Sequence, residues 1–152
     1  MSDPVVFDSI SPRFGLPLLF AGQAQKEAFV NEAHALTDAL LHGTIEGESA
    51  VPPPNPVDGT NWLVAASPSG EWLGKAGRIA CRQAGNWLFV APCDGMRLLD
   101  RAAGQDRRFA GTWQIAVRPA APDGGSVVDF EARSAIVNVI SALAAAGIFP
   151  AA

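Results

Sequence analysis

The stretch F-G-L-P-L-L-F-A-G-Q-A-Q-K-E-A-F-V-N-E-A, residues 14–33, joins a short apolar segment to the start of a helix. The first turns of that helix carry the uncharged amides Gln23 and Gln25, where a surface helix usually carries charges. Because an amide side chain both donates and accepts hydrogen bonds, it can hold one backbone segment against another, but it is a poor catalyst. The stretch therefore predicts an assembly element, in which Gln23, Gln25 and Asn31 are packing and docking residues.

An extended arm and an amphipathic helix are predicted on the two sides of these amides. Residues 1–21 contain Pro4, Pro12 and Pro17 and cannot form one regular helix. The helix is predicted over residues 23–41, because apolar residues recur at helical spacing along one face, while Asp38 falls on the polar side. The members of that apolar face are Phe29, Ala33, Leu36 and Leu40.

Composition divides the chain into four predicted parts. Residues 1–48 hold the arm and helix, and residues 49–59, with V-P-P-P-N-P-V-D-G, are a stiff proline-rich linker. Residues 60–122 alternate short β-prone runs with turn residues, which predicts an antiparallel module, either a small sheet or an open barrel. Residues 123–152 contain the last helix. The expected fold class is therefore α+β.

The last helix is apolar on nearly every side. It is predicted to begin at the N-cap Asp129 and to stop at Gly147. Ile136, Ile140 and Leu143 form one face, and the valines and alanines around them leave little polar surface. A helix of this kind is buried on most sides. We therefore predict a subunit interface that contains Ile136, Ile140 and Leu143.

Charge and hydropathy exclude several classes of function. Charged residues make up 17% of the chain, against an average of about 25%. A net charge of -4 argues against a nucleic-acid partner, which needs a basic surface. No apolar run is long enough for membrane insertion, and the N-terminal M-S-D-P-V-V-F-D lacks the positive charge of a secretion signal. We expect a protein made in the cytoplasm, with Arg101, Arg107 and Arg108 on a solvated loop edge.

No set of residues predicts catalysis, a metal site or a cofactor site, so we do not expect an enzyme. Cys81 and Cys93 match no zinc pattern and are predicted to be small buried side chains, with a disulfide between them left open. His34 and His42 lack partners for a metal site and are expected at the surface or at a helix end. A hydrolase acting through the loop acids Glu46 and Glu48 is a distant alternative.

The four tryptophans of the β module support a second hypothesis. Trp62, Trp87 and Trp113 each lie in an apolar run and are predicted to fill the core. Trp72 lies in the turn-rich S-P-S-G-E-W-L-G and is the tryptophan best placed to be exposed. It is the candidate glycan contact if the protein is a carbohydrate-binding module that recognises host surface polysaccharide.

Four segments together resemble one family, the domain of unknown function 2793 of alphaproteobacterial prophages and gene transfer agents. They are residues 15–33, the S-P-S-G-E-W-L-G-K-A-G-R-I-A turn at 67–80, the strand G-N-W-L-F-V-A-P at 85–92 and the D-F-E-A-R-S-A-I-V-N-V-I-S-A-L helix at 129–143. Members of that family are encoded among virion structural genes. The resemblance implies a structural protein of a phage-like particle, located in the virion and assembled in the bacterial cytoplasm.

The same resemblance implies a partner set. Longer relatives continue into fibre or receptor-binding parts, so this chain is expected to be a base or adaptor that docks a separate head spike or tail fibre for host attachment. The implied partners are capsid, spike or fibre subunits and further copies of the chain, with host surface polysaccharide as an additional candidate. A trimer would suit a fibre and a pentamer a capsid vertex, and the sequence leaves the number open.

Overall fold

The computed structural model describes residues 9–22 and 26–150. They divide into two compact units, and the division falls between Pro92 and Cys93. The boundary falls within residues 60–122, which the sequence suggested as one β module, and the predicted linker at 49–59 lies inside the first unit. Both units combine one helix with short strands, so the expected α+β class is confirmed.

The first unit consists of helix α1 and five short strands. Helix α1 spans Lys26–Leu40, and a 3₁₀ turn spans Gly70–Trp72. The strands are β1 (Thr44–Ile45), β2 (Glu48–Ser49), β3 (Asn61–Val64), β4 (Ile79–Gln83) and β5 (Asn86–Val90). β2 pairs in parallel with β3, and β3–β4 and β4–β5 are antiparallel. Ala84 and Gly85 join β4 to β5 with φ of 48° and 75°, as a two-residue hairpin turn with positive φ at both positions requires.

The core of the first unit is an aromatic cluster. Val64, Trp72 and Ala80 are buried, and Trp62, Trp87 and Phe89 pack against them. The Trp72 and Trp87 rings meet edge to face with centroids 5.1 Å apart. The predicted core positions of Trp62 and Trp87 are therefore confirmed as partly buried contacts of this cluster.

A buried carboxylate connects α1 to the segment before it. Asp38 is 1% exposed and accepts hydrogen bonds from the Ser11 hydroxyl at 2.6 Å, from Arg13 N at 3.0 Å and from Phe14 N at 2.6 Å. Ser11 N also donates to Leu16 O at 2.9 Å, so residues 9–18 form a tight loop and not the extended arm that we predicted. The loop is held by two side-chain acceptors, the Asp38 carboxylate and the Ser11 hydroxyl. The positions of the prolines, on which the prediction of an arm was based, do not show these acceptors.

The Arg13 side chain satisfies the carbonyls at the end of α1. Its Nη1 donates to Asp38 O and Ala39 O, both at 2.7 Å, and its Nη2 donates to His42 O at 3.0 Å. The last carbonyls of a helix have no partner within the helix, and a cation at this end also opposes the negative pole of the helix dipole. Arg13 therefore caps α1 from a position 25 residues earlier in the chain than Asp38.

The buried face of α1 differs from the predicted one. Ala35, Asp38 and Ala39 are buried, whereas Phe29 is 79% exposed. Placing Asp38 on the solvent side was wrong, because its carboxylate is held by donors from the preceding loop. Helical periodicity predicts a solvent-exposed position for an acidic residue. It contains no information about hydrogen-bond donors that a distant loop supplies.

The second unit contains three strands and helix α2. The strands are β6 (Arg97–Asp100), β7 (Gln105–Ala110) and β8 (Thr112–Ile115), and each antiparallel pair is consecutive in the chain. Asp100 is 1% exposed and binds the Arg107 guanidinium at 2.7 Å. The solvated position predicted for Arg107 was therefore wrong, because this arginine neutralises a buried acid.

Helix α2 spans Phe130–Ala145 and begins and ends as predicted. Asp129 accepts a hydrogen bond from Ala132 N at 2.8 Å, which confirms it as the N-cap. Gly147 has φ of 73°, and Ile148 N donates to Leu143 O at 2.9 Å, a glycine-dependent C-terminal cap. Asp106 N donates to Gly147 O at 2.7 Å, which fixes the end of α2 beside β7.

Candidate functional site

An apolar groove runs along α2 in the second unit. It has a volume of about 350 Å³, and helix residues form one side of it. The chain before and after the helix supplies the other side. The lining residues are Pro119, Ala120, Ala135, Ile136, Val139, Ile140, Leu143 and Phe149. The three helix residues predicted to form an interface thus line one groove.

The groove lacks the polar groups of a small-molecule site. Ligand pockets of similar volume carry a few polar side chains that orient the ligand, and none of these eight lining residues has one. The groove can therefore offer apolar contact area and shape, without a group that transfers a proton or binds a metal. These properties are typical of a protein docking surface.

Large apolar side chains are exposed along α2, some of them in the groove and others, such as Phe130, outside it. On α2, Phe130 is 76% exposed, Val139 is 58% exposed and Ile136 is 45% exposed, whereas Ile140 is 7% exposed. A soluble monomer rarely exposes a contiguous apolar patch of more than a few hundred Å², and larger patches usually mark interaction surfaces. The second unit by itself therefore leaves α2 largely uncovered.

A row of polar side chains crosses the sheet at the end of α2. Arg97 lies directly opposite Arg108 on the neighbouring strand, and Arg108 lies opposite Gln114. All three line a cavity of about 270 Å³, together with Asp106 and Ile148. Directly opposed side chains in an antiparallel pair have Cβ atoms about 5 Å apart, so two guanidinium groups there repel each other.

Both arginines lack an anionic partner in the part of the chain that the structure describes. Among residues 9–22 and 26–150, neither Arg97 nor Arg108 forms an ion pair or a side-chain hydrogen bond. Asp106 lines the same cavity and offsets one of the two positive charges. One positive charge remains without a compensating negative charge, next to the apolar wall of the cavity that Ile115, Ala116 and Ile148 form.

The predicted packing amide Asn31 is in the first unit. Its Oδ1 accepts a hydrogen bond from Leu19 N at 2.8 Å, and its Nδ2 donates to Leu19 O at 3.0 Å. Asn31 thus holds the backbone of the preceding loop against α1. Gln23 and Gln25 lie outside the described residues, and the docking roles of all three amides stay predictions.

The prediction that Trp72 is exposed was wrong. Its side chain is 0% exposed, because the 3₁₀ turn directs the ring into the aromatic cluster of the first unit. The turn-rich sequence around Trp72 shows that the backbone turns, but not which way the indole ring points. A glycan contact through Trp72 would require this ring to leave the core.

The cysteines and histidines form no common site. Cys81 and Cys93 are both free thiols. Cys81 is buried as predicted, and burial raises the pKa of its thiol to about 12. Cys93 is exposed, so the prediction that it is buried was wrong. His34 Nδ1 lies 3.0 Å from Pro17 O, and no group of three potential metal ligands occurs among the described residues.

Arg97, Pro119 and Phe149 were not identified from the sequence as parts of a surface, and Arg108 was predicted only on a solvated loop edge, whereas it lies in β7. Arg97 lies in β6 and Arg108 lies in β7. Only the pairing register of these two strands places the arginines opposite each other. Pro119 and Phe149 flank α2 on either side in the chain. Apolar residues on both sides of a helix are a local signal, but they do not specify that a groove is left open between them.

Within the described residues, no helix combines the length and apolar character that crossing a membrane requires.

In a comparison with known protein families, one family matches the chain. The sequence profile of a family described as "Protein of unknown function (DUF2793)" matches residues 30–114, more than half of the 152 residues. The match begins within α1 and ends within β8, before α2 and before every residue that lines the groove. No curated protein matches the chain.

Proposed function

The chain belongs to the DUF2793 family of proteins of unknown function, and we propose that it is a structural protein of a phage-like particle, either a prophage virion or a gene transfer agent. In this proposal it acts as a base or adaptor for a head spike or tail fibre that contacts the host surface. It assembles with further copies of itself and with capsid, spike or fibre subunits. Its function is association, without a chemical step.

The exposed apolar surface of α2 is the observation that carries this proposal. Side chains such as Phe130 and Val139 are more than half exposed on a helix with few charged residues. Fully burying one such side chain is worth roughly 1.5–3 kcal/mol. Burying the remaining exposed area of Phe130, Val139 and Ile136 would therefore contribute on the order of 4 kcal/mol per copy. A subunit that is always assembled gains this free energy of burial and does not expose the apolar patch to water.

The internal contacts of the first unit suit an adaptor. The unit contains the Trp72 cluster, and separately a loop that is fixed on α1 by hydrogen bonds of Asp38, Arg13 and Asn31. Binding surfaces on a preorganised scaffold avoid the entropy cost of ordering at each association. The first unit can therefore present a fixed surface to the next component of a particle.

Imaging of intact particles tests this function. Particles from cells with the intact gene and from cells with the gene deleted would be compared by electron cryo-microscopy. We expect the deletion to remove spikes from the head or fibres from the tail while leaving filled heads intact. Particles of unchanged appearance, with this chain also absent from purified wild-type particles by mass spectrometry, would contradict the proposal.

A further inference from the structure

We propose that two copies of this chain associate through α2 in an antiparallel, two-fold arrangement, in which Glu131 of each copy meets Arg97 and Arg108 of the other. This inference rests on the proposed role as an assembled subunit and specifies which surface meets which. The occupant of the apolar groove is α2 of the second copy.

The surface is acidic at one end, apolar in the middle and basic at the other end. Glu131 lies exposed in the first turn of α2 and has no ion pair or hydrogen bond to its side chain among the described residues. The groove follows, and the cavity bordered by Arg97 and Arg108 lies beyond it. Ile148 lines that cavity and the next residue, Phe149, lines the groove, so the cavity and the groove are neighbours.

Such a surface is complementary to itself after a rotation of 180°. In a two-fold interface the same patch is used by both subunits, so the acidic end of one copy lies against the basic end of the other. The apolar middle then meets an apolar middle. A head-to-tail arrangement would leave one acidic end and one basic end unmatched in each pair of copies.

The length of α2 agrees with this register. The helix residues of the groove centre on Val139, which we place next to the two-fold axis. Glu131 lies eight residues before Val139, about 12 Å along the helix axis, and Gly147 lies eight residues after it. Glu131 of the second copy would then lie opposite Gly147, whose carbonyl accepts from Asp106 N in the strand that carries Arg108.

Electrostatics favour the same orientation in two ways. The paired arginines lose their mutual repulsion when a carboxylate lies between them, and arginine binds carboxylates in a bidentate geometry. Antiparallel helices also place the positive pole of one dipole beside the negative pole of the other. The apolar wall beside the arginines removes water from the ion pair and so strengthens it.

Cysteine cross-linking tests the position of the axis. Val139→Cys would be introduced together with Cys93→Ser, and the thiols would be oxidised with diamide. Cys81 is buried with a raised pKa and should not react in the folded protein. We expect a covalent dimer, since the two Val139→Cys side chains lie next to the axis. Val57→Cys, at a valine that is 64% exposed in the first unit, is the matched control and should stay monomeric on a denaturing gel.

Charge reversal tests the end-to-end contact. Arg97→Glu with Arg108→Glu should weaken self-association by about tenfold, as expected for the loss of two partly exposed ion pairs. Adding Glu131→Arg should restore it, because each end then again faces the opposite charge. The control, Lys26→Glu with Arg78→Glu, makes the same change in net charge at two exposed residues and should have no effect. Self-association would be measured by sedimentation equilibrium.

The outcomes separate this inference from the proposed function. If the chain self-associates but Val139→Cys does not cross-link, or the charge swap does not restore association, then the two-fold arrangement is wrong and the particle role is unaffected. A groove that takes another protein or an apolar ligand would leave self-association unchanged in every variant, and this result also overturns the inference. The role in the particle is tested separately, by the imaging of intact particles.

Discussion

Trp72→Ala is expected to destabilise the protein by about 4 kcal/mol, the largest effect of any single substitution considered for this chain. The Trp72 side chain is 0% exposed and contacts Trp87 edge to face at the centre of the first unit. Its removal leaves a large cavity in an aromatic cluster that has few other members to fill the space. Since domains are stable by about 5–15 kcal/mol in total, much of the protein would be unfolded at moderate urea concentrations.

Trp72→Phe separates packing from hydrogen bonding. The indole Nε1 of Trp72 is buried and has no hydrogen-bond partner among the described residues. Phenylalanine keeps most of the ring contacts and removes this unsatisfied donor, so we expect a loss of less than about 1.5 kcal/mol. Urea unfolding followed by circular dichroism measures both variants, with Trp113→Ala in the second unit as a half-buried comparison. A Trp72→Ala protein as stable as wild type would mean that the indole is not in the core.

Asp38→Ala is expected to cost about 3 kcal/mol. The carboxylate accepts from Ser11, Arg13 N and Phe14 N, and truncation would leave two partly buried backbone donors and a buried hydroxyl without acceptors. The loop would also lose the anchor that positions the Arg13 guanidinium over the end of α1. Loss of that cap adds to the effect, because the last carbonyls of the helix become exposed.

Controls on the same helix identify the cause. Glu32→Ala removes an exposed acid of α1 without a described contact and should change the unfolding free energy by less than about 0.5 kcal/mol. Asp38→Asn keeps one acceptor oxygen and should fall between Asp38→Ala and wild type. Equal stability of Asp38→Ala and Glu32→Ala would show that the buried carboxylate does not hold the loop.

The features that the sequence predicted correctly depend on local signals. The ends of α2 follow from Asp129 and Gly147, which act through hydrogen bonds within one turn of the helix. The α+β class follows from the change in hydrophobic period along the chain. Interactions of this kind are encoded by neighbours in the sequence.

The features that it missed depend on residues far apart in the chain. Asp38 is an acidic residue at a position where periodicity predicts exposure to solvent. Its burial depends on hydrogen-bond donors from residues 11–14. Trp72 lies in a turn whose direction is set by the cluster it joins. The groove likewise needs residues from before and after α2 to come together, and the arginine row needs the register of two strands.

The central claim is that this chain is an assembled subunit whose α2 surface is covered by another copy. Size-exclusion chromatography with light scattering on the purified protein tests it most directly. We expect a mass of at least twice 15.8 kDa at micromolar concentration. Val139→Glu should shift it toward 15.8 kDa, and the matched Val57→Glu should leave it unchanged. A wild-type mass of 15.8 kDa across the micromolar range would contradict the account.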